Sequence, residues 1–178
     1  MMGRHWPGRT ALVVAVAMSG GCYESDFPLD PAPGLAVDDA LLGTWRCLPI
    51  GADADEPPAT MSVRRAADRR YAVTWKGSDG ETLRYEAFAS SVEGQRFLNV
   101  RERKTDGAGG KWVFMRPTLL RPNVLHVDIV GADALKGVEE SAPAVRRAIA
   151  RQLASPSLAV EFCVCARAKE TAEAAPAR

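Results

Sequence analysis

The sequence has little histidine, no bias of charge and no long apolar run. Each shortage removes a class of function. Two histidines in 178 residues, His5 and His126, leave little for a histidine-based metal or acid–base centre. A net charge of +1 offers no broad attraction for nucleic acid, so no nucleic-acid partner is expected. No apolar stretch approaches the roughly 20 residues needed to cross a bilayer as a helix. The glycine-rich "DGAGG" has no following Lys-Ser or Lys-Thr, and there is no Gly-x-Ser-x-Gly elbow. Phosphate cradling and hydrolase chemistry therefore lack their usual frameworks.

What is present begins with a short leader. "MMGRHWPGR" carries Arg4 and Arg9 and no acid, "TALVVAVAM" is a brief apolar run, and "SGG" leads into Cys22. A basic start, a short apolar centre and small residues before a cut describe a secretory signal over residues 1–21. Its removal takes two arginines and turns the balance from +1 to −1. Residues 22–40, "CYESDFPLDPAPGLAVDDA", are rich in Asp and Pro without sustained period, and are expected to be an anchor and flexible tether. Residues 170–178 lack large apolar groups and read as a disordered tail. The folded unit is placed at 41–169.

Within that unit the chain breaks into short β-type runs separated by Gly, Asn, Asp and Pro. "RYAVTWK" has a clear period of two, with Tyr71, Val73 and Trp75 on one face. Seven such runs at short intervals leave no room for crossover helices and predict antiparallel neighbours. "SAPAVRRAIARQLAS" then changes the period. Val145, Ile149 and Leu153 form one stripe, Ser141 is the N-cap and Pro143 lies in the tolerated first turn. "LAVEFCVCARA" is a final strand. The expected fold is all-β: a small antiparallel up-and-down barrel or strongly curved sheet of about eight strands, with one helix before the last strand. Closure would remove exposed edges. An immunoglobulin-like sandwich is the competing arrangement.

Two stretches resemble known families. "AMSGGC" resembles the lipobox of bacterial lipoproteins, with Ser19 where that family prefers Leu. The resemblance implies cleavage before Cys22, acylation of its sulfur and amine, and attachment to the membrane through those acyl chains. Tyr23, standing where an Asp commonly retains such proteins in the inner membrane, implies the outer membrane, facing the periplasm. Gly43-Thr44-Trp45 resembles the Gly-x-Trp signature of lipocalins and related calycin barrels. There the Trp plugs one barrel end beneath a basic residue from the last strand, a place Arg167 would take. The helix departs from that family's order, in which it follows the barrel.

If Trp45 faces Arg167 across an antiparallel pair, Cys47 falls opposite Cys165, within disulfide reach on one face. A Cys47–Cys163 bridge is the runner-up. No metal site is expected, because "CVC" lacks the spacing of a zinc knuckle. No cofactor is expected either. His126 and Asp128 share a strand face opposite Leu125, Val127 and Ile129, and are expected on the wet side rather than in a catalytic site. Asn99 and Arg101 share a face too. Turned inward, they are the candidates to hold the head of a lipid-like ligand; turned outward, they are a solvated face. The functional expectation is a non-catalytic, envelope-anchored lipoprotein binding an apolar or amphipathic small molecule in a barrel mouth. Its alternative is an envelope protein-interaction module with a filled barrel.

Overall fold

The computed structural model describes residues 21–169 apart from 54, 105–108 and 139–140; most of the leader (1–20) and the tail (170–178) lie outside the described residues. Eight antiparallel strands follow one another round a closed barrel: β1 (Gly43–Pro49), β2 (Ala59–Arg65), β3 (Arg70–Lys76), β4 (Thr82–Val92), β5 (Gln95–Arg103), β6 (Gly109–Arg121), β7 (Val124–Val130) and β8 (Ala159–Arg167). Helix α1 (Ala142–Gln152) precedes β8, its first turn capped by Ser141, whose side chain accepts from the Ala144 N–H. The closed barrel, rather than a sandwich, is the observed fold. Every strand finds two neighbours because β1 pairs with β8.

Alternation along the strands separates an inside from an outside. Trp45, Cys47, Val63, Tyr71, Val100 and Leu125 belong to one buried cluster that fills the lumen. The outer wall of β4, β5 and β6 is not wet. Phe88, Phe97, Trp112 and Phe114 form a second cluster there, roofed by Val145 and Ile149 of α1 and by Leu29, Leu135 and Leu158. The barrel thus has two cores, one within it and one on its side.

The segment expected to be a flexible tether is instead a strap on the outer wall, and the domain boundary at 41 moves back accordingly. The Tyr23 N–H donates to the Val130 carbonyl at 2.9 Å, and Ser25 and Trp112 exchange two backbone bonds of 2.8 and 2.7 Å. Further along, Leu29 is 2 % exposed and its N–H donates to Asn99 Oδ1 at 2.7 Å. Asp30 pairs with Arg146 of α1 at 2.9 Å. Val37 and Leu41 enter the lumen cluster at the far end. The correction has a simple cause. Leu29, Val37 and Leu41 are too widely spaced to register as a period, yet each meets a hole in a core already built.

Candidate functional site

The two ends of the barrel differ. One is sealed. Trp45 is wholly buried, and its indole N–H donates to the Leu41 carbonyl at 3.0 Å. Arg167, its register partner across β1 and β8, lies over the ring at 4.2 Å from the centroid. The same guanidinium donates to the carbonyls of Leu42 and Ala40, at 2.7 Å each. Cation–π attraction and these charge-assisted bonds hold it flat and dry the ring. Gly43 is obligatory here: its φ is +121°, and a Cβ would sit 2.8 Å from Arg167 Nη1. Gly43, Trp45 and Arg167 thus pack together at this end of the barrel.

Two residues along, Cys47 and Cys165 face each other and are joined by a disulfide. Cys163, the alternative partner, keeps a buried thiol whose Sγ lies 3.6 Å from Cys165 Sγ. The three sulfurs lie within 4.8 Å of one another, but the bond consumes two of them and leaves a single thiol for any other chemistry. Burial pushes the Cys163 thiol up from 9.0 to about 12, because the apolar barrel cannot solvate a thiolate. This sets a pH dependence. Below 9.0 the thiol is protonated in both folded and unfolded chains. Between 9.0 and about 12 only the unfolded chain releases the proton, so stability falls as pH rises through that window. The urea midpoint of the native protein is expected to fall faster there than that of Cys163→Ala. Tyr85, whose hydroxyl is also pushed up by burial and by Glu102 and Glu81, acts equally on both proteins. Equal slopes would remove Cys163 as the source.

The opposite end is open. Pro49, Ala59, Trp75 and Leu83 with Glu56, Asp79 and Glu81 line a cleft of about 230 Å³. Trp75, part of its lining, packs against Phe162 with ring centroids 6.1 Å apart. This falls below the ~300–1,000 Å³ typical of pockets that enclose drug-sized ligands. Its ionic side chains are carboxylates, which repel an anionic head.

Asn99 and Arg101 are brought together, but not around a lumen. Register pairs Val100 with Ala87 and Leu98 with Met115 on the inside, which turns Asn99 and Arg101 to the outer wall. Asn99 is buried beneath the strap. Besides accepting from Leu29, its amide nitrogen donates to the Phe88 carbonyl at 3.2 Å and Ser90 Oγ at 2.8 Å. Arg101 covers the Trp112 ring at 4.5 Å and pairs with Glu86, which also meets Arg70 at 3.4 Å over Phe88. The expected ligand contacts are therefore occupied by the protein's own groups. Neither alternative foresaw an outside wall that is itself a core. The clue is that "RFLNV" and "KWVFM" carry large apolar residues on both faces, the pattern of strands covered on both sides.

His126 lies on the outer wall, with Nε2 3.7 Å from Asp128 and 3.5 Å from Glu161. Asp128 in turn takes two bonds from Arg116, at 2.9 and 3.2 Å. The Arg116–Asp128 ion pair ties β6 to β7, and His126 sits between Asp128 and Glu161 of β8. Asp128 is only 7 % exposed, more enclosed than a wet face implies, because the Arg116 and His126 side chains cover it.

Cys22 emerges at the open end, bridged to Gly131 at the end of β7 and partly buried. Desolvation and the nearby Glu24 push its thiol up from its usual value. Comparison with family models, curated proteins and solved structures finds no match for the chain.

Proposed function

We propose that this is a non-catalytic, lipid-anchored module of the bacterial envelope, fastened through Cys22 and built on a filled lipocalin-like barrel that works through its outer surface. The observation that carries the reading is the occupied lumen. Trp45, Tyr71 and the Cys47–Cys165 bridge take the space a lipocalin would give to a ligand, and Arg167 and Leu41 cap one end. The leader and the Cys22 junction support the anchor, and Tyr23 favours the outer membrane on its periplasmic side. A protein partner in the envelope replaces the lipid-like ligand as the expected binding class.

Two measurements test this. Native mass spectrometry of the protein from envelope extracts is expected to give the acylated chain with no further small molecule. A stoichiometric lipid-like adduct would restore the barrel-mouth binding reading. Cys22→Ser is expected to abolish palmitate labelling and to release the protein from the membrane fraction; undiminished labelling would reject attachment at this residue. A second reading has one observation in its favour. The cleft beside Trp75, with Glu56, Asp79 and Glu81, suits a small cation better than a fatty acid.

A further inference from the structure

We propose that the seam between β1 and β8, at the end of the barrel where Cys22 emerges, is a membrane-contacting face whose occupant is the headgroup–hydrocarbon boundary of the bilayer holding the anchor. The proposal rests on acylation of Cys22 and adds an orientation to it.

The chain has no slack at its anchor point. Cys22 is itself bridged to Gly131, and the next residue is already bonded to Val130. Cleavage before Cys22 removes Gly21 and its bond to Ala132, but leaves the bonds at Tyr23 and Ser25 intact. An acylated Cys22 has to lie at headgroup level, since its chains are in the hydrocarbon. No free linker then separates that level from the ends of β7 and β8. The barrel end must lie against the bilayer rather than some distance above it.

That end also displays apolar side chains. Among the described residues six large apolar side chains are exposed, and four of them are Leu48, Ile50, Val160 and Val164. Val160 adjoins the anchor point: a Cβ on Gly131, the bridge partner of Cys22, would lie 3.8 Å from it. Ile50 donates its N–H to the Phe162 carbonyl at 2.9 Å, and Leu48 pairs with Val164. Val164 and Leu48 thus face outward, whereas Val160, in register with Ile129, stands on the inner rim across a β8 bulge, so the four border the open end of the seam from both of its faces, starting beside Cys22. Exposed apolar side chains grouped in this way mark a contact surface. Arg46, next outward on β1 after Leu48, suits a lipid phosphate. Glu161, 65 % exposed in the same strand, is the group that has to remain in headgroup water.

The test uses the acylated protein purified from the envelope and reconstituted in phosphatidylcholine vesicles, with Ile50→Cys labelled by a polarity-sensitive fluorophore. Leu120→Cys, exposed near the sealed end, serves as the distant control. Cys163 is buried and Cys47 and Cys165 are bonded, so the label goes to the new thiol. Brominated lipid is expected to quench the Ile50 label at least about two-fold and to leave the Leu120 label unchanged. The mass of the N-terminal peptide is read in the same preparation. Acyl chains on Cys22 with equal, weak quenching at both positions would overturn the orientation while sparing the anchor. An unacylated Cys22 would remove the anchor, and the orientation with it. An Ile50 signal that shifts with protein concentration in the absence of vesicles would identify a second copy as the occupant and overturn the bilayer assignment.

Discussion

Cys47→Ala/Cys165→Ala is expected to lose about 3–5 kcal/mol of stability relative to the native protein, a fall of roughly 10–20 °C in Tm for a domain of this size. The bridge spans 118 residues and joins the first strand to the last. Without it the unfolded chain gains the freedom of a loop almost as long as the domain. The β1–β8 seam, the closing contact of the barrel, must then be held by backbone bonds and side-chain packing alone. Mutating both cysteines avoids leaving one unpaired beside Cys163, where new pairings would obscure the result. Thermal unfolding followed by circular dichroism measures the loss. A change below about 1 kcal/mol would mean that the closing seam is already ordered in the unfolded ensemble.

Trp45→Ala is expected to be as damaging, at about 3–5 kcal/mol. The side chain is wholly buried, and its removal opens a void that Tyr71 and Leu41 are too firmly held to fill. Tyr71 Oη accepts from the Asp38 N–H at 2.7 Å, and Leu41 supplies the carbonyl that the indole needs. The substitution also leaves the Leu41 carbonyl and the Arg167 guanidinium without their ring partner. Trp45→Phe, which keeps an aromatic face beneath Arg167 but not the indole N–H, is expected to cost less than half as much. Denaturant titration of the two variants separates the plug from the hydrogen bond. Equal losses would assign the whole effect to the bond.

The barrel was legible because its signals are local and mutually consistent. "RYAVTWK" alternates cleanly, and "GSDG" and "EGQ" turn the chain where the hairpins turn. The disulfide followed from one supposed pair, since residues across an antiparallel seam keep step with one another; Trp45 opposite Arg167 puts Cys47 opposite Cys165. What escaped was tertiary. A strand has two faces, and periodicity reveals which residues share one without saying what covers it. Asn99 looks polar and therefore wet, yet its amide satisfies a buried stretch of strap against β5. Residues 22–40 look like a linker because Pro and Asp dominate them, yet a few well-placed apolar groups suffice to dock them.

The strap climbs the barrel from the open end, at Tyr23 and Ser25, past Asn99, to Tyr71 at the sealed end, before it turns into β1. If tension is applied between an anchored Cys22 and a body bound elsewhere, it runs along this path. The load is shared in shear by successive contacts at Val130, Trp112, Asn99 and Tyr71, instead of peeling a single bond. The first strand it reaches is covalently tied to the last. Such an arrangement resists extraction by pulling far better than a loose leash would.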